Sequence, residues 1–401
     1  MATRTRVLVL DGHTNQALAV VRSLGRAGHD VIVASPWRQS LASWSRHCAG
    51  TMHVPSETLA GYEQIRLHAA ARRIAVVLPM TERSCLLCSL AGDEWERTGI
   101  RVGCAPLETL LRAFDKRETL RHAENAGVRC PTTVAPSSLA EARQAAASVG
   151  FPCVVKPRFS HPWVGGRFLR DPGCGYASTP EELDKAVLSR RQGDLWPLVQ
   201  AYVAGTGKGV FALCEHGRVL AWFAHERLRD VRPSGSGSSV RRSVSLSSRF
   251  REPAERLLAS MCWHGPAMVE FRDAGGEPPC LMEVNGRFWN SLALAIEAGV
   301  DFPRLWLSVL QGEPVAAPAS YHEGVTIRWL WGDVKRLLHV IAGPPEGFSG
   351  TYPSVWQSVR DLVGPQTHRG HLETWQRTDP WPAVGEWAQA ARELLTRRSA
   401  S

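Results

Sequence analysis

The apolar and polar positions of the first hundred residues alternate between short apolar runs and helical repeats. The run at 6–10 predicts a strand, the repeat at 17–27 predicts a helix, and the run at 30–34 predicts a second strand. Further runs at 74–79 and 101–104 predict two more strands. Strands that alternate with helices are typical of a parallel sheet that is covered on both faces and binds ligands beyond the carboxyl ends of its strands.

The loop after the first strand, at 11–15, lies where many parallel-sheet proteins bind a dinucleotide. Such a loop needs three glycines at fixed spacing so that a pyrophosphate can approach the backbone, and this chain supplies only Gly12. A nicotinamide enzyme is therefore not favoured. The loops at 11–15 and 79–83 remain candidates for holding a substrate.

A second block of elements begins near residue 112 and contains a lysine in an unusual place. Asp115 followed by Glu118 is typical of a helix start, and a helical repeat at 138–149 leads into an apolar strand that ends at Lys156. A lysine at the end of a buried strand is costly unless an anion receives its charge. A lysine that reaches solvent at a sheet edge explains the pattern equally well.

The next segment combines strands with glycine-rich and basic stretches. A Gly/Ser stretch at 233–239 separates two arginine clusters, which predicts a flexible loop that closes over an anionic substrate. Arg227 and Arg242 are the expected contacts, because a guanidinium binds a carboxylate through two hydrogen bonds. A disordered, solvated basic loop is the alternative. Strands and a glycine-rich linker precede this stretch: 198–203, the linker 204–209, 210–214 and 219–224.

The strand at 281–289 carries the most informative pattern. Side chains alternate between the two faces of a strand, so Glu283, Asn285 and Arg287 share one face. Carboxylate and amide oxygens suit a divalent cation, and a guanidinium suits phosphate. Glu270 lies in an apolar run upstream, where a buried carboxylate must be paired or bound to metal. Taken alone, a surface salt bridge between two strands explains these residues equally well.

Composition excludes several classes of protein. A chain of 401 residues with 44% hydrophobic content is expected to form two or three domains. It has no apolar run long enough for a membrane span and no signal-peptide core, so we expect a cytoplasmic protein. The formal charge of +9 comes from dispersed residues without a nucleic-acid-binding motif, which favours an anionic small substrate over nucleic acid.

The order of these motifs resembles the ATP-grasp superfamily, specifically its carboxylate-amine ligase branch with a carbamoyl-phosphate-synthase-like ATP-binding core. The resemblance covers about half of the chain, residues 112–311, and rests on four motifs in order: Asp115-Lys116, Val155-Lys156-Pro157, Val199-Gln200, and the set Glu270, Glu283, Asn285 and Arg287.

The resemblance implies an α/β and α+β architecture. A Rossmann-like pre-ATP-grasp domain (1–111) would precede a two-lobed ATP-grasp fold, with a small lobe (112–195), a large lobe carrying the metal site (196–318) and a C-terminal appendage (319–401). It also implies site roles. Lys116 and Lys156 would contact ATP phosphates, Glu270, Glu283 and Asn285 would bind Mg²⁺ or Mn²⁺, and Arg287 would contact the phosphates or an acyl phosphate. The adenine would lie along the hinge residues Gln200, Ala201, Tyr202 and Val203.

The implied activity is an Mg²⁺-dependent, ADP-forming ligase that activates a small carboxylate as an acyl phosphate and couples it to an amine. Two alternatives remain: a bicarbonate-activating carboxylase or carbamoyl-phosphate-type enzyme, and a non-catalytic ATP-binding protein. Ala201 replaces an acidic residue that often follows the hinge glutamine, and the loop after Lys156 is less glycine-rich than a phosphate-covering loop usually is. The sequence leaves the oligomeric state open, with a homodimer as one option.

Overall fold

The computed structural model describes residues 4–54, 57–348, 350–364 and 370–398. Residues 1–3, which entered the search for a signal peptide, lie outside the described residues. Among the described residues, no helix has the length and apolar character that crossing a membrane requires.

The N-terminal part is a parallel sheet with helices between its strands, as predicted. Its strands are β1 (Arg6–Val9), β2 (Asp30–Ser35), β3 (Cys48–His53), β4 (Val76–Leu78) and β5 (Arg101–Val102), and its helices are α1 (Asn15–Arg26), α2 (Leu59–Ala71), α3 (Glu82–Leu90), α4 (Gly92–Arg97) and α5 (Leu107–Phe114). The strand order is β3-β2-β1-β4-β5 and every pair is parallel. The order reverses between β1 and β4, so the loops at 11–14 and 79–81 meet at the crevice where such sheets bind ligands.

The small lobe is an antiparallel sheet with two helices on it. It comprises α6 (Lys116–Asn125), β6 (Thr133–Val134), α7 (Leu139–Val149), β7 (Cys153–Lys156), a hairpin of β8 (Trp163–Val164) and β9 (Arg167–Phe168), β10 (Gly175–Ala177), α8 (Pro180–Arg190) and β11 (Leu198–Ala201). The sheet order is β10-β7-β11-β6. Because β11 pairs with β7 and β6, it lies in the small-lobe sheet, although the sequence division placed it in the large lobe.

The large lobe is built on a long sheet of seven strands. These are β12 (Thr206–Glu215), β13 (Arg218–Arg232), β14 (Ser236–Ser243), β15 (Gly265–Asp273), β16 (Cys280–Asn285), β17 (Thr326–Arg328) and β18 (Gly370–Leu372), with helices α9 (Ser248–Ser260), α10 (Leu292–Glu297) and α11 (Phe302–Gln311). The order is β16-β15-β12-β13-β14-β17-β18. Most of the glycine-rich linker at 204–209 forms the first part of β12. Its glycines leave room for neighbouring side chains, as described below.

The predicted flexible Gly/Ser loop does not exist as a loop. Both arginine clusters lie in a hairpin, in which β13 pairs with β14 from His225↔Ser243 to Arg232↔Ser236, and only residues 233–235 turn. Hydrogen bonding along two strands therefore orders most of a segment whose composition suggested disorder.

The C-terminal segment joins the core more closely than an appendage would. It forms α12 (Leu330–Ala342), α13 (Val355–Val363) and α14 (Trp381–Arg398) and contributes β17 and β18 to the large sheet. It also holds the N-terminal domain, because the buried Arg22 of α1 donates to Asp379 Oδ2 at 2.8 Å and to the Thr374 carbonyl at 2.8 Å. The C-terminal segment therefore contacts both the large-lobe sheet and the N-terminal domain.

Candidate active site

The two glutamates singled out in the sequence lie opposite each other on neighbouring strands. Glu270 of β15 pairs with Glu283 of β16, and on its other side pairs with Gly209 of β12. Gly209 in turn pairs with His225 of β13. Directly paired residues point to the same face of a sheet, so His225, Gly209, Glu270 and Glu283 form one row across four strands. We call this side of the sheet the acidic-row face.

The two carboxyl groups of the row have pKa values that shift in opposite directions. Burial raises the pKa of Glu270, and the nearby charge of Glu283 adds to that rise, while Arg227 opposes it. Burial also acts to raise the pKa of Glu283, but Lys116, a hydrogen bond from Asn285, Lys156 and Arg227 together lower it below its usual value. Two carboxylates this close need positive charge between or around them to stay ionised together.

The remaining two residues of the strand motif continue the same network. Asn285 donates from Nδ2 to Glu283 Oε1 at 3.0 Å, and its Oδ1 accepts from Arg287 at 3.1 Å. Arg287 also donates to the carbonyl of Phe288 at 3.0 Å. The structure therefore brings Glu283, Asn285 and Arg287 into one chain of hydrogen bonds.

Both predicted phosphate lysines approach this face from the small lobe. Lys156 ends β7, and Lys116 begins α6 behind the N-cap Asp115, whose side chain accepts from the amide of Arg117 at 3.0 Å. Their charges act on Glu283, as its pKa shows. Lys156 has no ion-pair or hydrogen-bond partner among the described residues, which leaves its ammonium for a ligand.

The first residues of the loop after Lys156 are held by two contacts to the start of α6. Lys116 donates to Ser160 Oγ at 2.9 Å, and Arg158 binds the Asp115 carboxylate with its Nε at 2.9 Å. Beyond this loop, the β8–β9 hairpin carries Phe168, and the Arg83 guanidinium lies 5.3 Å from the centre of its ring. Contacts to α6 and to Arg83 therefore hold this segment, which is less glycine-rich than a phosphate-covering loop usually is.

The four hinge residues differ in whether their polar groups already form hydrogen bonds within the protein. The Gln200 side chain is buried and donates to Thr133 Oγ1 at 2.8 Å, and the Ala201 amide donates to the Thr132 carbonyl at 2.9 Å. Tyr202 and Val203 follow the end of β11 in irregular backbone, where no hydrogen bond occupies their main-chain groups within the described part of the chain. An adenine edge would therefore find its donors and acceptors at Tyr202 and Val203, with Gln200 acting as support.

The structure places Arg227 and Arg242, the two expected substrate contacts, on opposite faces of the hairpin. Arg227 pairs with Arg241 across the hairpin, whereas Arg242 pairs with Glu226, so Arg242 lies on the opposite face. There Arg242 Nε donates to Glu226 Oε1 at 3.0 Å, and Lys208 donates to Glu226 Oε2 at 2.9 Å. The loop reasoning could not detect this, because adjacent arginines point to opposite faces only once the segment is known to be a strand.

Several residues of the acidic-row face were not identified from the sequence. Arg241 is completely buried and forms an ion pair with Glu373 of the C-terminal segment. His225 is 1% exposed, and neither of its ring nitrogens has a hydrogen-bond partner among the described residues. Counting every second residue from Arg227 along β13 would have found His225, but nothing in the sequence marks the Arg241–Glu373 pair.

Glycines on β12 make this arrangement sterically possible. A Cβ atom on Gly209 would lie 2.9 Å from His225 Nε2 and 2.8 Å from Phe211 Cζ. A Cβ atom on Gly207 would lie 3.5 Å from the Arg227 guanidinium. The side chains of β13 can therefore lie across β12 and reach the carboxylates of β15.

The donor set fits a magnesium or manganese ion that is shared with phosphates. Mg²⁺ is usually held by one or two carboxylates and completes its shell with water and phosphate oxygens. Glu270, Glu283 and the Asn285 oxygen supply such an incomplete oxygen set, with two lysines nearby for the phosphates. No cluster of three or more His, Cys, Asp or Glu residues suited to a metal occurs in the described ranges.

Comparison with known proteins supports the same fold. Residues 196–332 match the family model described as "ATP-grasp in the biosynthetic pathway with Ter operon". The multifunctional protein pyrABCN of Emericella nidulans is 32% identical over 236 residues, which are 55% of this chain, and the chain spans only about a tenth of that protein's length.

Two solved structures resemble about four fifths of the chain. Biotin carboxylase of Campylobacter jejuni in complex with an ATP analogue has a TM-score of 0.64 at 15% identity, over 80% of this chain and 74% of its own. N5-carboxyaminoimidazole synthetase of Staphylococcus aureus complexed with ADP has a TM-score of 0.63 at 12% identity, over 81% and 82%. The chain therefore shares the fold of these two enzymes, and residues 196–332 resemble an ATP-grasp domain, as the motifs predicted.

Proposed function

We propose that the protein is an ATP-dependent, ADP-forming ligase that joins a small carboxylate to an amine. The observation that carries this proposal is the meeting of Glu270 and Glu283 with two lysines from the other lobe, Lys116 and Lys156. Opposed carboxylates and lysines at a lobe interface suit a metal-bound triphosphate and leave few other ligands that match both charges.

The chemistry requires activation because the oxide leaving group of a carboxylate is too poor for an amine to displace. A carboxylate oxygen attacks the γ-phosphorus, the bond to the β-phosphate oxygen breaks, and ADP leaves with that electron pair. The amine then attacks the carbonyl carbon, inorganic phosphate leaves, and the nitrogen loses a proton. Alignment and neutralisation of negative charge contribute most of the rate acceleration in such transfers.

In this proposal the residues bind the metal, the phosphates, the adenine and the anionic groups of the substrate. Glu270, Glu283 and Asn285 hold the divalent ion, which when bound offsets the charge of the β- and γ-phosphates. Lys116 and Lys156 bind phosphate oxygens, and the main chain of Tyr202 and Val203 receives the adenine. Arg287 and Arg227, both on the acidic-row face, bind the anionic groups of the carboxylate and the transferred phosphoryl group.

The similarity of the fold to a biotin carboxylase keeps bicarbonate as the second candidate for the activated carboxylate. A carboxylic acid is placed first because the Arg227 and Arg287 guanidinium groups suit a carboxylate. We also propose a cytoplasmic protein that acts on small molecules, with a homodimer as an arrangement to test.

Mass spectrometry tests the proposal directly. The full chain is incubated with ATP, Mg²⁺ and pools of amino acids and small carboxylates, and both ADP and condensation products are measured. We expect ADP formation that depends on a carboxylate, and a product whose mass equals the two substrates minus water. ADP formation that depends on bicarbonate alone would establish the second candidate, and ATP binding without ADP formation under all pools would contradict a ligase.

A further inference from the structure

All three proposed metal ligands are engaged by groups of the protein itself. Glu270 forms an ion pair with Arg227, Glu283 accepts from Asn285, and Asn285 Oδ1 accepts from Arg287. Arg227 Nη2 donates to Glu270 Oε2, so a divalent ion that binds through this oxygen must compete with a guanidinium. Metal binding at this oxygen would then exchange one cation for another.

Arg227 has a second acidic neighbour. A nitrogen of its guanidinium, Nη1, lies 3.9 Å from Asp230 Oδ1, beyond hydrogen-bond distance. That oxygen is buried and has no hydrogen-bond partner among the described residues. A movement of about 1 Å would turn this contact into a charge-assisted hydrogen bond.

The backbone around Arg227 explains how both acids come within reach. The pairing of β13 with β14 shifts register between Arg227 and Arg229 and again between Arg229 and Asp230. Irregular pairing of this kind redirects side chains, which here brings Asp230 toward Arg227 and close enough to Glu270 to raise its pKa. Gly207 beneath the guanidinium leaves space for it to move, since even a Cβ there would stay 3.5 Å away.

From these contacts we infer that Arg227 is a two-position arginine, which leaves Glu270 for Asp230 when a divalent cation binds. This inference rests on the proposed function, since it assigns the cation to Glu270. Asp230 is then a positioning residue: it does not touch the metal, but it stabilises the arrangement in which Glu270 is available. The charge that Arg227 provided at Glu270 is replaced by the metal, and its guanidinium remains beside the reacting phosphate.

Binding of Mn²⁺ to the full chain with a non-hydrolysable ATP analogue tests the exchange without requiring turnover. Electron paramagnetic resonance measures free Mn²⁺ in the wild type and in Arg227→Gln, Asp230→Asn and the double variant. Removing the competing cation in Arg227→Gln should tighten Mn²⁺ binding by about 5-fold. Arg242→Gln is the matched control: it removes a guanidinium of the same hairpin that binds Glu226 on the opposite face, and it should change affinity by less than about 2-fold.

The double variant separates an exchange from simple charge effects. Asp230→Asn should weaken Mn²⁺ binding by about 5-fold when Arg227 is present and by less than about 2-fold in the Arg227→Gln background. The reason is that Asp230 acts on the metal site only through its contact with Arg227. Equal effects of Asp230→Asn in both backgrounds, or no tightening in Arg227→Gln, would overturn the inference. If Arg227→Gln does not fold, the equally uncharged Arg227→Met takes its place in the same cycle.

Failure of the proposed function gives a different result. A wild type that binds no Mn²⁺ together with the nucleotide analogue would remove the metal site itself. A wild type that binds both, with additive effects of the two substitutions, would leave the metal site in place and reject only the movement of Arg227.

Discussion

The two faces of the large sheet carry the same kinds of residues and use them differently. On the acidic-row face, Arg227 and Glu270 form an ion pair with side chains 15% and 18% exposed, within reach of Glu283 and the small-lobe lysines. On the opposite face, Glu226 is bound by Arg242 and Lys208, and the Arg242 side chain is 38% exposed. The opposite-face acid is fully neutralised, whereas the acidic row keeps two carboxylates that a second ligand can use.

This difference shows that charge alone does not mark a site. Glu226 and Glu270 are about equally exposed, at 20% and 18%, but Glu226 already has two basic partners, Lys208 and Arg242, and its charge is therefore satisfied. Two opposed acids that are largely buried are costly to keep ionised unless a cation is provided. The acidic-row face is therefore the one on which binding energy can be gained.

Removing one carboxylate from each face should give the largest contrast. Glu283→Gln removes a proposed metal ligand and should lower kcat/KM by more than about 100-fold, while Glu226→Gln on the opposite face should change it by less than about 3-fold. Steady-state ADP formation measures both, with circular dichroism as a check of folding. Equal losses in the two variants would mean that the faces do not differ in function.

Removing the lysine that faces the acidic row and, separately, the lysine of the opposite face should give the next largest contrast. Lys156→Met should raise the KM for ATP by about 10-fold or more, because the phosphates lose a charge-assisted contact. Lys208→Met removes a lysine of the opposite face that binds Glu226, and the KM for ATP should stay within about 2-fold. Initial rates at varied ATP concentration measure the KM in both variants. An unchanged KM in Lys156→Met would show that Lys156 does not bind the nucleotide.

The elements of this fold were largely predictable, and the faces of the hairpin were not. Asp115 as an N-cap, the strand that ends at Lys156, and the alternation of Glu283 and Asn285 follow from local preferences and period, and the structure shows them as expected. The strand predicted at 281–289 ends at Asn285, so Arg287 lies beyond it and joins the site through its hydrogen bond to Asn285. Arg242 was misplaced because composition suggested a loop, whereas pairing with β13 and β17 makes the segment a strand. Pairing with distant strands cannot be derived from a local pattern.

The position of the C-terminal segment illustrates the same limit. The resemblance implied only an appendage at 319–401, but the ion pair of Glu373 with Arg241 joins residues 132 positions apart. Contacts of this kind depend on how the whole chain packs, and Glu373 has no neighbouring motif that would mark it. Burial raises the pKa of this carboxyl to about 7, and Arg241 opposes the rise, which reflects an environment only the folded chain creates.

Two glycines of β12 offer a smaller contrast within the acidic-row face. Gly209→Ala places a Cβ 2.9 Å from His225 Nε2 and 2.8 Å from Phe211, and should lower the free energy of unfolding by about 1–3 kcal/mol. Gly207→Ala meets only ordinary contacts at 3.5 Å and should stay within about 0.5 kcal/mol of the wild type. Urea unfolding of both variants measures the difference, and equal stabilities would show that the row is not closely packed over β12.

The smallest effect is expected at the residue that the structure moved away from the site. Arg242→Gln should leave kcat/KM within about 2-fold of the wild type and shift stability by less than about 1 kcal/mol, because Glu226 retains Lys208. A loss of activity as large as that of Glu283→Gln would restore Arg242 to the site and contradict the assignment of faces.

A crystal structure of the full chain with Mn²⁺ and a non-hydrolysable ATP analogue tests the central claim most directly, because the anomalous signal of manganese locates the ion independently of the protein. We expect that signal between Glu270 and Glu283, with phosphate oxygens in contact with Lys116 and Lys156. Manganese and phosphates on the opposite face, near Glu226 and Lys208, would contradict the account.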